Sequence, residues 1–147
     1  MKDRQWLESH LPHKGTMCLL DHVVSWTNDE IHCKAYSHKD PNNPLLSEGI
    51  LGSSAAIEYA AQAMAAHGCL LLKSDGTPRQ GFIASVRNIR FKTNDLSSLG
   101  PEIDIHATRL MGDADNVIYE FEVSDSGSPR VTGRATVVLD QTKAIQL

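Results

Sequence analysis

The sequence has no concentration of basic residues. Its 18 acidic side chains outnumber 14 basic ones and give the 147 residues a formal net charge of −4. A nucleic-acid partner is therefore not expected, because beyond a modest run at residues 87–92 no Lys/Arg cluster is available to displace counterions from phosphates. Cysteine is equally scarce, and the three thiols, Cys18, Cys33 and Cys69, stand singly among apolar neighbours. Their spacing offers neither a disulfide framework nor a zinc-site pattern and indicates free thiols in a reducing compartment.

An export signal and a membrane-spanning run are also missing. Residues 1–6 carry charges without an apolar core behind them, which predicts a cytoplasmic protein. The most apolar stretch, residues 49–72, is long enough to raise the question of a membrane span. Its glycines and serines, together with Gln62 and Glu58, make it too polar. We therefore expect neither a secreted protein nor a membrane span.

What the sequence does contain is a regular alternation of apolar and polar residues, which is typical of half-buried β-strands. Six segments are predicted as strands, and they comprise residues 17–26, 31–36, 81–91, 103–108, 117–123 and 131–139. The turn-rich residues 124–129 lie between the last two segments and predict a hairpin.

Residues 53–67 form the one segment without strand character. They are rich in alanine and nearly free of β-branched residues, which favours a helix, and Gly68 follows where a helix would end. A helix with almost no charge lacks the polar face of a surface helix, so the sheet must wrap around it. One buried helix between two strands and four predicts an α+β protein of the hot-dog fold, a curved antiparallel sheet wrapped around one long central helix. We expect one such domain over residues 1–147.

Glu58 is the only formally charged side chain between Glu48 and Lys73, and it lies in the middle of the predicted helix. Its helical neighbours are small or apolar apart from Gln62. Burial disfavours the charged form of a carboxyl group, and a carboxyl group that keeps its proton is suited to general acid catalysis. The alternatives for Glu58 are a buried arginine partner or a place at a subunit boundary. Gln62 is either a packing amide or a neighbour that supports Glu58.

His13 stands in a short irregular segment, residues 11–15, where a proline and a glycine restrict the backbone just before the first predicted strand. Rigid loops at the entrance to a sheet are common positions for catalytic groups. His10 and His22 flank this residue without the spacing of a metal site, so neither a metal nor another cofactor is expected. Judged from spacing alone, His13 is one candidate among seven histidines.

At these two places the sequence resembles the 3-hydroxyacyl-acyl-carrier-protein dehydratases of bacterial fatty-acid synthesis. Their Leu-Pro-His hallmark, followed by an apolar strand with an aspartate, matches residues 11–21, LPHKGTMCLLD. Their central-helix Glu-Ala-Met-Ala-Gln is similar to residues 58–62, EYAAQ. The strongest likeness, over residues 57–65, is to a divergent dehydratase-like branch associated with aryl-polyene and related lipid clusters. Weaker likeness continues to Leu139, and residues 37–44 replace the family's Gly-His-Phe-Pro-Gly stretch.

The resemblance implies an enzyme that dehydrates a 3-hydroxyacyl thioester to the trans-2-enoyl thioester. In the family, a histidine and an acidic residue from different subunits meet at a dimer interface. The implied acid-base pair is therefore His13 and Glu58 of a homodimer, with the histidine as base and the carboxyl group as acid. The implied substrate is linked to acyl carrier protein or to coenzyme A.

Three small residues at the predicted helix start, Gly52, Ser53 and Ser54, are candidates for substrate binding. Their main-chain N–H groups are suited to stabilising negative charge on a thioester oxygen, and the alternative is that they only cap the helix. Gln62 is a further candidate for substrate binding on the same helix.

The basic residues Arg87, Arg90 and Lys92 lie close together in the sequence. They are candidates for docking a strongly acidic carrier protein, and the alternative is a solvated strand face. Two other functions stay open on the same fold. One is thioester hydrolysis, in which the helix carboxylate activates water. The other is a catalytically silent acyl-binding subunit that pairs with a related synthase or dehydratase.

Overall fold

The computed structural model describes residues 1–71, 81–113 and 115–139. Within these ranges there are two α-helices, α1 (Arg4–His10) and α2 (Ala55–Leu70). The strands of the same ranges are β1 (His22–Trp26), β2 (Glu30–Ala35), β3 (Gly81–Phe91), β4 (Ile103–Gly112), β5 (Asn116–Asp125) and β6 (Ser128–Leu139). Short 3₁₀ turns lie at Gly15–Met17, Ser37–Lys39 and Leu96–Ser98.

The six strands form one antiparallel sheet in the order β1-β2-β4-β5-β6-β3, so that β1 and β3 are its edges. Two strands precede α2 and four follow it, as predicted. The predicted hairpin is confirmed as β5 and β6, with Asp125 opposite Ser128 at the turn. The apolar and polar residues that alternate in the sequence also alternate between buried and exposed positions. In β4, for example, Ile103 and Ile105 are buried while His106 is exposed.

Helix α2 packs against β2, β4 and β5. Nine of its 16 residues are buried, and most of these are alanines that let the sheet approach closely. The predicted limits of this helix were wrong by a few residues, since it begins at Ala55 and continues through Gly68 to Leu70. Gly68 does not end the helix because its backbone stays out of the left-handed region, and no atom lies within 4 Å of the position a Cβ would take.

The N-terminal helix α1 was not predicted, although the chain contains its capping signal. The Asp3 carboxylate accepts a hydrogen bond from the main-chain N–H of Trp6 at 2.9 Å, and Leu7 is fully buried. The predicted strand over residues 17–26 was only partly correct. Regular pairing with β2 starts at His22, and residues 18–21 before it are not part of a strand.

One antiparallel sheet wrapped on one long helix is the hot-dog fold, so the predicted fold class is confirmed. Among the described residues strand β3 pairs only with β6, and its other edge is unpaired there. On this edge strand Phe82 is 51% exposed and Phe91 is 48% exposed. Neither α-helix of the described residues is long and apolar enough to cross a membrane.

Candidate active site

The candidate base, His13, lies in the link between α1 and the 3₁₀ turn that begins at Gly15. Its side chain is partly buried, and its Nδ1 atom is fully buried without a hydrogen-bond partner in the described ranges. A buried ring nitrogen without a partner is costly and is therefore a candidate for chemistry. His38 Nδ1 and Arg130 Nε share this property, so it is the motif around His13 that distinguishes it. Gly15 has a φ of 57°, a left-handed conformation that glycine adopts without strain.

The main chain of residues 15–20 is held by side chains and not by a neighbouring strand. Arg4, on α1, donates hydrogen bonds to the carbonyl oxygens of Gly15 and Cys18, both at 2.9 Å, and of Leu20 at 3.4 Å. These contacts occupy main-chain groups that a strand would use for pairing, which explains the late start of β1. Helix α1 therefore helps to fix the segment that follows the candidate base.

Gln62 holds the same segment from the side of α2. Its Oε1 atom accepts a hydrogen bond from the Leu19 N–H at 2.9 Å, and its Nε2 atom donates to the Met17 carbonyl oxygen at 2.8 Å. The residue is only 2% exposed. Both ends of the amide are thus used on the main chain, which differs from the predicted role in substrate binding. Because Glu58 lies one turn earlier on α2, the structure does bring the helix motif and the histidine motif together.

A chain of buried hydrogen bonds ties α2 to the pre-helix residues 37–44. Asn43 Nδ2 donates to the Tyr59 hydroxyl at 3.1 Å, and this hydroxyl lies 2.7 Å from Ser37 Oγ. Since Ser37 Oγ donates its own proton to the Leu19 carbonyl at 2.6 Å, the Tyr59 hydroxyl is the donor to Ser37. Burial raises the pKa of Tyr59, so the hydroxyl keeps the proton that this chain requires.

The candidate acid, Glu58, is exposed in the single chain, and the prediction that it lies buried was wrong at this level. The sheet covers one side of α2 only, and the uncovered side is a stripe along the helix. We call the exposed residues Ser54, Glu58, Ala65 and Gly68 the helix stripe. No hydrogen bond joins His13 to Glu58 in the part of the chain that the structure describes. The described residues therefore leave the Glu58 side chain open to solvent.

Gly52, Ser53 and Ser54 lead directly into the first turn of α2. Ser54 is the N-cap residue, and its side chain makes no capping hydrogen bond. The main-chain N–H groups of Gly52 and Ser54 donate to no other described residue. Asp95 anchors this segment by accepting a hydrogen bond from the Leu51 N–H at 3.1 Å. Free N–H groups at a helix start are suited to binding negative charge.

The predicted basic residues are exposed on β3, with Arg87 and Arg90 in the strand and Lys92 just after it. None of the three forms an ion pair with another described residue. The sheet register places Arg134 of β6 opposite Arg87, although Arg134 is also 3.7 Å from the carboxylate of Glu120. Arg134 was not among the predicted basic residues, because it lies far from them in the sequence and only strand pairing brings it next to β3.

A sheet of this order wrapped on a central helix, with the amide of that helix bound to the segment after His13, defines a hot-dog protein. The chain belongs to the ApeP-like dehydratase family, because the family model, described as ApeP dehydratase, matches residues 6–146. The family suggested by the two short motifs is thereby confirmed. The protein is an enzyme of the dehydratase type.

Solved structures agree with this assignment. The chain is similar to a chain of the dehydratase heterocomplex ApeI:P from Xenorhabdus doucetiae, with 28% identity, a TM-score of 0.82 and 95% of each chain covered. It shares its fold with a mutant thioesterase from Pseudomonas aeruginosa, at 13% identity and a TM-score of 0.59, covering 80% and 79% of the two chains. A thioesterase from Haemophilus influenzae is similar at 12% identity and a TM-score of 0.59, with 81% and 77% covered. The sequence has no significant match among curated proteins.

Proposed function

We propose that this chain dehydrates a 3-hydroxyacyl thioester linked to acyl carrier protein and releases the trans-2-enoyl thioester. Membership of the ApeP-like dehydratase family over residues 6–146 is the observation that carries the proposal. Two further observations support it. His13 and Glu58 stand at the positions of the two motifs, and the segment that follows His13 is bound to the helix that carries Glu58.

The reaction needs a base for the α-proton and an acid for the departing hydroxyl group. In the proposed mechanism, neutral His13 takes the α-proton while the protonated carboxyl group of Glu58 donates to the β-hydroxyl. The electron pair of the α C–H bond becomes the new double bond as the β C–O bond breaks, and water leaves. The free N–H groups of Gly52 and Ser54 stabilise the negative charge that develops on the thioester oxygen. No cofactor takes part in this scheme.

The proposed site requires two chains. Glu58 lies on the uncovered helix stripe, and the unpaired edge of β3 exposes two phenylalanines. A second hot-dog chain placed against this face would cover the stripe and bring its own histidine loop toward Glu58. We propose a second copy of this chain as the partner, and the heterocomplex from Xenorhabdus doucetiae makes a related chain the other candidate. A partner chain that covers the site would also exclude water from it, and general acid catalysis needs a water-poor site.

We place carrier-protein docking at Arg87, Arg90 and Lys92, because these side chains are exposed and free of ion pairs with described residues. A carrier protein is strongly acidic, so the attraction is electrostatic and falls with salt. Replacing Arg87 and Arg90 with glutamate is expected to raise KM for a carrier-linked substrate while leaving KM for the same acyl group on pantetheine unchanged. An equal effect on both substrates would remove these residues from docking.

The decisive experiment is mass-spectrometric product analysis of a panel of 3-hydroxyacyl carrier proteins incubated with the wild type and with His13→Ala. The proposal predicts a mass loss of one water that disappears in the variant. Free acid formed equally by both proteins would establish thioester hydrolysis. No conversion by the wild type, alone or with a related hot-dog chain present, would identify a silent subunit.

A further inference from the structure

In the part of the chain that the structure describes, the direct hydrogen bonds between α2 and the segment that follows His13 come from the side-chain amide of Gln62. The hydrogen bonds from Gln62 to Met17 and Leu19 span residues i and i+2, the same pair of groups that a neighbouring strand would contact. A carboxamide carries its donor and its acceptor on separate atoms, as a peptide group does, and Gln62 therefore takes the place of a missing strand partner.

Main-chain hydrogen bonds connect Met17 with the residues that directly follow the candidate base, His13. The Met17 N–H donates to the Lys14 carbonyl at 3.0 Å, and the Cys18 N–H donates to the Gly15 carbonyl at 3.1 Å. These two bonds close a compact turn directly after His13. Only three residues separate Met17 from His13, and the hydrogen-bonded turn restrains them. A displacement of Met17 is therefore expected to move His13 as well.

The other end of the attachment is the helix that carries the candidate acid. Gln62 follows Glu58 by four residues, which is one helical turn and a rise of about 6 Å. The Gln62 side chain is buried, whereas Glu58 is exposed on the helix stripe. In the proposed dimer, one helical turn thus carries the acid of one site and the amide that fixes the base of the other site.

We propose that Gln62 is a positioning residue, whose amide fixes the His13 segment to α2 of the same chain and so holds His13 in place for the site it forms with Glu58 of the second chain. This role rests on the proposed dehydration. Gln62 does not touch the substrate in this role, since both ends of its amide are occupied by main chain. A misplacement of about 1 Å in a catalytic group lowers turnover by about a hundredfold, so a lost amide acts on kcat and not on KM.

Three variants test this role. Gln62→Leu removes both hydrogen bonds, and Gln62→Glu keeps the acceptor but holds a donor only while the introduced carboxyl group is protonated. Met64→Leu is the matched control, because it alters a buried side chain of the same helix without removing a hydrogen bond. We expect kcat of Gln62→Leu to fall by about tenfold to a hundredfold with KM little changed. We expect kcat of Gln62→Glu to approach the wild-type value at low pH and to fall at high pH, unlike the wild type.

Each remaining outcome counts against the role. A rise in KM with unchanged kcat would return Gln62 to substrate binding. Equal losses in Gln62→Leu and Met64→Leu would mean that only general packing was disturbed. If circular dichroism shows that Gln62→Leu does not fold, the pH profile of Gln62→Glu decides alone, and a profile parallel to the wild type overturns the proposal.

A readout that does not use turnover separates this inference from the proposed function. The Cε1–Hε1 NMR signal of His13, assigned by its loss in His13→Ala, reports the surroundings of the ring in each variant. We expect this signal to move in Gln62→Leu and to stay in place in Met64→Leu. A signal that is identical in all variants overturns the positioning role. Absence of dehydration by the wild type would overturn the proposed function and leave this NMR result valid.

Discussion

At the scale of single residues, the most informative position is Glu58. The sequence marked it as a lone charge in an alanine-rich helix, and the structure places it on the uncovered side of that helix. An exposed carboxylate contributes little to the stability of the chain, so its presence among small apolar neighbours points to chemistry. The same exposure makes it possible to change the residue without disturbing the fold.

We predict that Glu58→Gln folds as the wild type does and loses dehydration. An amide has the shape of the carboxyl group but does not supply its acidic proton, so turnover is expected to fall by at least about a hundredfold. Thermal unfolding measures the fold and product mass measures turnover. Glu48→Gln, an exposed glutamate of the pre-helix loop, is the matched control and is expected to keep full activity. Unchanged turnover in Glu58→Gln would remove this residue from the mechanism.

His67 makes stability depend on pH. Its Nε2 atom lies 2.8 Å from the Thr27 carbonyl and so carries the proton, while its Nδ1 atom accepts from the Tyr119 hydroxyl at 2.7 Å. Burial lowers the pKa of His67, because the neutral ring satisfies both contacts without bringing a charge into the core. The unfolded chain therefore binds a proton first, and stability falls as pH drops below the ordinary histidine pKa of about 6.5.

The measurement is urea unfolding at about pH 7.5 and about pH 5.5, values that bracket that titration. We expect the wild type to lose up to about 1 kcal/mol more between the two pH values than His67→Gln does. His10→Gln, which replaces an exposed histidine, serves as the control and is expected to show the wild-type loss. If the loss is the same in His67→Gln, the ring of His67 does not govern the acid sensitivity.

Residue patterns identified the two motifs but not all the contacts between them. Glu58 and His13 were recognisable because a lone charge in an apolar helix and a histidine in a rigid loop are unusual. The amide of Gln62 was visible as a neighbour of Glu58, yet residues one turn apart face slightly different directions. Which of the two is covered depends on the sheet, and sequence spacing does not contain that information. The role of Arg4 could not be predicted from the sequence, because its hydrogen-bond acceptors are main-chain carbonyl oxygens, which every residue has.

At the scale of elements, the packing of β6 against β5 depends on the absence of a side chain at Gly133. A Cβ atom at this position would lie 2.8 Å from Phe121 Cζ and 2.9 Å from Ile89 Cδ1. We predict that Gly133→Ala lowers the free energy of unfolding by about 1–3 kcal/mol, because two well-packed side chains have to move. Thr132→Ala, the adjacent half-buried position, is the control and is expected to change stability less. Equal urea midpoints for wild type and Gly133→Ala would contradict the tight packing.

Regular elements were predicted where one periodicity dominates. The alternating segments became β2, β4, β5 and β6, because burial on one face of a sheet imposes a period of two. The predicted ends of helices and strands were wrong where the local sequence pattern competes with tertiary contacts. Gly68 suggested a helix end, yet α2 continues through it, and residues 18–20 looked like a strand although side chains hold their main chain. Helix α1 was missed because its seven residues give too short a pattern.

At the scale of the whole molecule, the unpaired edge of β3 is the surface that a second chain is expected to cover. We predict that Phe82→Glu converts the assembly into single chains, because a charge replaces an apolar ring that is 51% exposed in one chain. Light scattering measures the mass of the particle. Met111→Glu, which alters another exposed apolar side chain on β4, is the control and is expected to leave the assembly intact. A wild type that is already a single chain at micromolar concentration would contradict a site formed by two copies of this chain.

The central claim is that His13 and Glu58 of different chains form one dehydration site, and chain exchange tests it most directly. His13→Ala and Glu58→Gln are each prepared alone, then mixed under conditions that let subunits exchange, and loss of water from a 3-hydroxyacyl carrier protein is measured. Random pairing gives mixed dimers in which one of the two sites has both residues, so about a quarter of the wild-type activity is expected to return. A mixture that stays as inactive as its two components would show that the two residues do not meet between copies of this chain.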